Sequence, residues 1–365
     1  MSDRKNLFSE LDGRFMKRAL ELAQMGLGYV SPNPAVGAVL VKNGKIIGEG
    51  CHKRAGLAHA EVEALKGVSE KAAKGATMYV TLEPCSHENK RTPPCTKFLI
   101  SKGIKRLVAA VRDPNKYVNG EGLRQLARAG VIAQEGLLSE EAAKLNEVFF
   151  YSITRARPFV VLKMAISIDG KVATANGDSK WISNDGSRKY SHQLRSTYDA
   201  IMTSSATVLN DDPHLGAGIP PGRDPLRIIV DRSLKTKLKA KVYRDKKVLV
   251  ITTTLASKTK ISGFKKAGID VTIYPSIFSL KMLLKDLYKR GITSVMIESG
   301  GIFGSAFIRE GLVNKCLFFI APKLIGADGI PSIRNLGIAR VAKAPKLTNV
   351  SHRLFGEDVL IEGYL

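Results

Sequence analysis

The chain has 365 residues, 44% of them hydrophobic and 25% charged, which suits two globular domains with apolar cores. No run approaches the ~18 consecutive apolar residues of a membrane helix, and the opening MSDRKNLFSELDGRF lacks a signal-peptide core, so a cytoplasmic location is expected. The net charge of +24 points towards polyanions, but the basic residues are dispersed, without a Lys/Arg block. The charge is therefore read as that of a generally basic proteome or as attraction to phosphorylated small molecules, and nucleic acid is not the expected partner.

In chain order, GRFMKRALELAQMG (13–26) has helical spacing and ends in glycine. VGAVLVKNGKIIGE (36–49) predicts two strands joined by an Asn43-Gly44 turn. A helix is expected from about His59, a strand over 77–83, a short helix in CTKFLISKG, a strand in KRLVAAVR and a helix in GEGLRQLARAG. This alternation predicts a three-layer α/β domain. Residues 139–151 look helical, and the arginines and Pro158 that follow mark a boundary, placed at 152/153. Beyond it, FVVLKMAISIDGKVAT predicts two strands around an Asp-Gly turn. DAIMTS, LRIIVD, KVLVIT and SVMIES predict further strands, alternating with helices such as LKMLLKDLYKRG. The second half is thus also α/β.

The four cysteines, Cys51, Cys85, Cys95 and Cys316, are too few for a disulfide framework. Two of them belong to a pattern: His59-Ala60-Glu61, then Glu83-Pro84-Cys85, then Pro93-Pro94-Cys95. One imidazole and two thiolates suit zinc and leave a fourth position open for water, whose pKa zinc lowers towards ~7. Glu61 is placed to shuttle a proton without ligating the metal. Cys85 and Cys95 are each expected to open a helix, where backbone N–H groups favour thiolate. The general zinc-deaminase signature has H-x-E followed by P-C-x-x-C. Here the first half matches, but the cysteines are ten apart.

The string TLEPCSHENKRTPPC resembles the deaminase half of the bifunctional riboflavin-biosynthesis family of RibD type, as do SPNPAVGAVLVKNGKIIGEG, AHAEVEAL, RDPN and GLRQLARAGV. The resemblance implies a cytidine-deaminase-like domain with His59, Cys85 and Cys95 on zinc and Glu61 as proton shuttle. It places Asn33, His52, Lys90 and Asn115 at a pyrimidine nucleotide. Three departures stand out: an extra residue between the cysteines, Glu63 where the family often has His, and Lys116 where a proline is common.

In the second half, IESGGIFGSAF runs from a strand through Gly300 and Gly301 into a helix, a turn that lets the backbone approach a phosphate but is also common where no nucleotide binds. Trp181, the only tryptophan, suits a core position when taken alone. KMAISIDGKVATANGDSKWIS, SSATVLNDDPHL, RIIVDRSL, ESGGIFGSAFIREGLV and FIAPKLIG resemble the reductase half of the same family. That resemblance implies a dihydrofolate-reductase-like α/β domain. NADPH would lie near Ile166, Trp181, Thr207, Asp211, Arg232, Gly300, Gly301, Ile302, Phe303, Gly304, Ser305 and Ala306. Substrate would lie near Lys163, Ser179, Arg195, Leu215 and Glu298. Arg195 would clamp a 5′-phosphate, and Arg232 would favour the 2′-phosphate of NADPH. Lys163 is the candidate proton donor. After DDPHL the family carries a phosphate-binding arginine where this chain has Gly218; Arg223 is expected to reach back in its place.

The implied activity is zinc-dependent deamination of 2,5-diamino-6-(5-phosphoribosylamino)pyrimidin-4(3H)-one, then NADPH-dependent reduction of its ribosyl to a ribityl chain. The resemblance also implies a homo-oligomer. Two alternatives compete: a zinc deaminase of a nucleic-acid base, and a non-enzymatic protein whose structural zinc takes His87 as fourth ligand.

Overall fold

The computed structural model describes residues 7–87, 93–116, 118–219 and 222–365. They divide into two compact units, Met1–Ala156 and Arg157–Leu365.

The first unit begins with α1 (Glu10–Gln24), three residues earlier than the apolar spacing suggests. Ser9 and Asp12 form a capping box that satisfies the first free N–H groups and sets that start. β1 (Gly37–Lys42) and β2 (Lys45–Cys51) make the expected hairpin, with positive φ at Asn43 and Gly44. α2 (Ala60–Leu65), α3 (Glu70–Ala73), β3 (Thr77–Val80), α4 (Cys95–Ser101), β4 (Arg106–Ala109), α5 (Glu121–Arg128) and β5 (Ile132–Glu135) follow. The helical stretch expected over 139–151 is two helices, α6 (Ser139–Leu145) and α7 (Glu147–Arg155), so the 152/153 position lies inside α7.

The sheet order is β2-β1-β3-β4-β5, antiparallel across β2-β1-β3 and parallel from β3 to β5. Alternate side chains serve opposite faces. Val39, Val41, Tyr79 and Val108 pack with α1, while Leu40, Met78, Val80 and Leu107 pack with α2, α4 and α5. Two apolar layers around one sheet give the expected three-layer α/β domain. α2 lies directly on β2: a Cβ at Gly50 would stand 2.3 Å from the Ala60 carbonyl oxygen. That close approach draws the start of α2 onto the sheet.

The second unit is built on β6 (Phe159–Ser167), β7 (Lys171–Ala173), α8 (Asp185–Thr197), β8 (Ala200–Ser204), α9 (Ser205–Asp211), β9 (Leu226–Val230), β10 (Val248–Thr253), α10 (Lys258–Lys266) and β11 (Asp270–Tyr274). α11 (Leu280–Lys289), β12 (Ser294–Glu298), α12 (Gly301–Arg309), β13 (Lys315–Ala321), β14 (Ile330–Pro331), β15 (Thr348–Phe355) and β16 (Asp358–Tyr364) complete it. Nine strands run in the order β11-β10-β9-β8-β12-β6-β13-β16-β15, parallel as far as β13. β7 pairs with β14 in a separate ribbon. The chain leaves the central β6, winds outward from β8 to β11, and returns to insert β12 between β8 and β6. Such a switch point opens a crevice at the carboxyl ends of the strands. Leu162, Met202, Ile251, Leu284, Ile297 and Phe307 belong to the core cluster on one face.

In the first unit Asp12 accepts hydrogen bonds from Tyr79 at 2.5 Å and from Arg106 at 2.6 Å. Burial pushes the Asp12 carboxyl up, but the bonds from Arg106, Tyr79 and Ser9 outweigh it and hold the group well below the usual carboxylate range. Its folded value is below the unfolded one of about 3.9. Its stabilisation is therefore full above about pH 4 and is lost as pH falls through the folded value. Asp12→Asn is expected to cost the first unit about 1.5–3 kcal/mol at neutral pH. Denaturant titration of both proteins from neutral to acid pH should show that gap narrowing.

Candidate active sites

His59 is the N-cap residue of α2 but makes no side-chain cap, leaving its ring for another task. Its Nδ1 lies 3.1 Å from Cys95 Sγ and 3.7 Å from Cys85 Sγ. A tetrahedral zinc with bonds of about 2.0 Å to nitrogen and about 2.3 Å to sulfur separates those donors by about 3.5 Å. The donor set and spacing therefore fit zinc. The three donor atoms lie within 4.8 Å of one another, and among the described residues this group holds no fourth member, so His87 is outside it. Cys95 opens α4 as expected. Cys85 does not open a helix; it lies in the irregular segment after β3, where its sulfur accepts the Cys95 backbone N–H at 3.4 Å.

Glu61, two residues beyond His59, is 4% exposed in the first turn of α2. Burial and the neighbouring Cys85 push its carboxyl up. The Cys85 contact and burial push the Cys95 thiol up as well. A divalent cation reverses the balance for coordinating thiols, so these groups fit one another best around a metal. Next to them, His52 bonds the Ala58 carbonyl through Nδ1 at 3.0 Å and meets the Asn33 amide through Nε2 at 3.1 Å. Donation from Nδ1 leaves Nε2 as acceptor. The His52 and His59 rings lie 5.6 Å apart, edge to face. Asn115 sits in a turn set by the Asp113 carboxylate, which accepts its N–H at 2.8 Å. Lys90 lies outside the described residues.

One residue in this unit escaped the motif reading. Glu83 is buried and accepts backbone N–H groups of Gly120 and Gly122, both at 2.8 Å, and of Asp113 and Leu123, both at 3.3 Å. It thereby ties the Cys85 segment to the Asn115 turn and to the start of α5. Nothing local signals this, since the donors lie 30 to 40 residues away.

In the second unit the crevice is a cavity of about 700 Å³. All five expected substrate residues, Lys163, Ser179, Arg195, Leu215 and Glu298, line it. So do Thr207, Asp211, Gly300, Gly301, Ile302, Phe303 and Ala306 of the cofactor set. Ile166, Trp181, Arg232, Gly304 and Ser305 are not among the lining residues. Trp181 is 63% exposed, with the Arg188 guanidinium 4.5 Å from its ring centre, so the core position is corrected to a surface one. Arg232 is exposed and donates to the Ser276 carbonyl at 2.7 Å.

Strand register places the charges. β12 ends at Glu298, paired with Lys163 in β6, which continues to Ser167. Arg195, from the last turn of α8, grips Glu298 with two hydrogen bonds of 2.6 and 2.9 Å and donates to the Gly216 carbonyl at 3.1 Å. Lys163 Nζ stands 3.5 Å from Glu298. Burial would raise the Glu298 carboxyl, but Arg195 and Lys163 bring it down to about 2. Burial pushes the Lys163 ammonium down. The Arg195 fork, expected on a 5′-phosphate, is engaged in this structure by the Glu298 carboxylate.

Arg223 does not reach the cavity. Its Nη2 donates to the Tyr198 carbonyl at 3.1 Å and to Asp199 Oδ1 at 3.3 Å. Those partners precede β8, whereas Ser204, at its far end, lines the cavity.

Residues 158–361 match the family described as RibD C-terminal domain, and residues 9–111 match the cytidine and deoxycytidylate deaminase zinc-binding region. The riboflavin biosynthesis protein RibD of Aquifex aeolicus strain VF5 is 44% identical over 356 residues, covering 97% of this chain and 99% of that protein. The chain belongs to the RibD family. The Escherichia coli K12 member is 38% identical over 363 residues, covering 96% of this chain and 98% of that protein. Acinetobacter baumannii RibD, form 1, superposes with a TM-score of 0.88 at 35% identity, covering 97% of this chain and 99% of that one. A Thermotoga maritima structure described as a diaminohydroxyphosphoribosylaminopyrimidine deaminase/5-amino-6-(5-phosphoribosylamino)uracil reductase gives 0.85 at 36% identity, with the same coverage. The protein is a bifunctional enzyme of riboflavin biosynthesis, a deaminase with zinc as cofactor and a reductase with NADPH. A cytidine-deaminase-like and a dihydrofolate-reductase-like α/β domain carry it, as the sequence implied. No described helix is long and apolar enough to cross a membrane.

Removing the Glu83 carboxylate strands four buried N–H groups. Glu83→Ala is expected to lower the stability of the first unit by roughly 3–5 kcal/mol. Chemical denaturation reads this; an unchanged midpoint would mean the four donors find other partners.

Proposed function

We propose that residues 1–152 hydrolyse the 2-amino group of 2,5-diamino-6-(5-phosphoribosylamino)pyrimidin-4(3H)-one. Residues 153–365 then reduce the ribosyl group of the product to ribityl with NADPH. The observation that carries this reading is the three-donor cluster of His59, Cys85 and Cys95 beside the buried carboxyl of Glu61. The Thermotoga maritima relative, described as a deaminase and a reductase of the corresponding nucleotides, supports it.

His59, Cys85 and Cys95 would hold the zinc, which when bound would supply Lewis-acid activation of the attacking water. Glu61 takes a proton from the attacking water and hands it to the leaving nitrogen, which departs as ammonia. A carboxyl raised by burial suits both halves of that transfer, because it holds a proton more readily than an exposed one. Asn33 and His52 orient the pyrimidine, with Asn115 and Lys90 completing the nucleotide site. In the second unit NADPH, when bound, would supply hydride chemistry at C1′ of the nucleotide. Its binding region is formed by Thr207, Asp211 and the Gly300–Ala306 turn, with Ile166, Trp181 and Arg232 farther out. Glu298 and Ser179 hold ribose hydroxyls, with Leu215 against the sugar. Lys163, with its ammonium pushed down by burial, delivers the accompanying proton.

The same reading makes the enzyme a cytoplasmic homo-oligomer whose partner is a small pyrimidine nucleotide. The dispersed positive charge supports a small anion over a nucleic acid.

The test is a coupled assay in which ammonia release and NADPH oxidation are followed separately. Wild-type protein should give both signals with the diamino nucleotide. Glu61→Gln should lower ammonia release by about 10²- to 10⁴-fold and still reduce the deaminated nucleotide. Loss of neither activity in that variant would remove Glu61 from its role. Zinc-loaded wild-type protein that releases no ammonia would refute the substrate.

A further inference from the structure

Five ionisable residues line the reductase cavity: Lys163, Arg195, Asp211, Glu298 and Arg334. Two of the three cations are committed. Arg195 is bidentate on Glu298 at 2.6 and 2.9 Å, and Lys163 stands 3.5 Å from the same carboxylate. Arg334 differs. Among the described residues its guanidinium has no ion-pair or hydrogen-bond partner, and its side chain is exposed to the cavity mouth.

Its backbone, by contrast, is fixed. The Arg334 N–H donates to Ser305 Oγ in α12 at 2.8 Å, and the Ser332 N–H donates to the Gly170 carbonyl at 2.9 Å. The Pro331 and Ser332 carbonyl oxygens would lie 2.6 and 2.5 Å from a Cβ on Gly301. The segment from β14 to Arg334 is thus pressed against the first turns of α12, the part of the cavity where Gly300 and Gly301 stand. A cation with a fixed base and an unengaged fork, on the wall of a ligand cavity, is arranged to pair with an anion that the protein itself does not supply. A guanidinium matches the oxygens of a phosphate with two parallel hydrogen bonds. Nothing at Gly218 or Arg223 competes for that role, since the first has no side chain and the second is turned to Asp199.

We propose that Arg334 is a phosphate-binding and specificity-determining residue of the reductase cavity. This rests on the reading of that cavity as the site of NADPH and the nucleotide, both of which carry phosphate esters. The position beside α12 favours a cofactor phosphate, and the substrate 5′-phosphate offers the same chemistry.

The test uses full-length Arg334→Ala and Arg334→Lys, with KM measured for NADPH, NADH, the aminouracil nucleotide and its dephosphorylated form. Loss of a charged hydrogen bond to phosphate should raise KM for the ligand concerned by about 10- to 100-fold. kcat should change far less, and lysine should recover part of the loss. A rise for NADPH alone assigns the 2′-phosphate, and a rise for NADPH and NADH together assigns the pyrophosphate. A rise for the nucleotide but not its dephosphorylated form assigns the 5′-phosphate. KM values all within about twofold of wild type would overturn the proposal. Calorimetry of wild-type protein with NADPH separates the underlying reading: if neither NADPH nor the nucleotide binds, the cavity is not this reductase site and the assignment falls with it.

Discussion

The buried carboxylate of Glu83 carries the geometry of the first unit. It has no cation at its oxygens among the described hydrogen bonds; it is held by backbone N–H groups of Asp113, Gly120, Gly122 and Leu123. Two of these belong to the opening turn of α5, where the helix dipole also favours negative charge. Glu83 stands two residues before Cys85, so the metal segment and the Asn115 turn are fixed to one point. The other half of the centre arrives from β2 through α2, whose close approach at Gly50 brings His59 and Glu61 to the sheet. Cys95 completes the group from α4. Three separate stretches of chain thus converge without a shared local motif.

The second unit places a charge by a different device. Glu298 and Lys163 are neighbours because parallel register pairs the last residue of β12 with the middle of β6. Arg195 then closes on the carboxylate from α8. The three charges satisfy one another in a buried setting where any one left alone would be costly. They line the cavity, but they leave little free charge for a ligand phosphate. Arg334 and the α12 terminus occupy the part of the cavity that is not self-neutralised.

The deaminase centre was legible in the sequence because zinc chemistry restricts ligands to a few residue types. The pattern of His59, Glu61, Cys85 and Cys95 is rare enough to stand out even with unusual cysteine spacing. The reductase cavity was legible mainly through resemblance. Its residues are ordinary types, such as Ser179, Leu215 and Thr207, that acquire meaning only when β6, β8 and β12 bring them together. Arg195 and Arg223 show the limit. A guanidinium suits phosphate and carboxylate equally well, so its partner depends on which anion the fold brings nearer. Trp181 failed as a core residue for a related reason, since composition cannot tell a buried ring from one stacked on Arg188 at the surface.

The sequence by itself determined the periodicities of α1, β1 and β2, the Asn43-Gly44 turn, the two α/β halves and the choice of His59, Cys85 and Cys95 as a group that could hold a metal. Each follows from local propensity or from the chemistry of a few side chains. Tertiary structure alone decided that Glu83 anchors the deaminase loops, that Glu298 claims Arg195 and Lys163, that Arg223 turns to Asp199, and that Arg334 is left unengaged on the cavity wall. These outcomes depend on pairings across 24 to more than 100 residues, as between Arg223 and Asp199 or Arg195 and Glu298. Strand register and close helix–sheet contact select such pairs, and neither is encoded in any short stretch of chain.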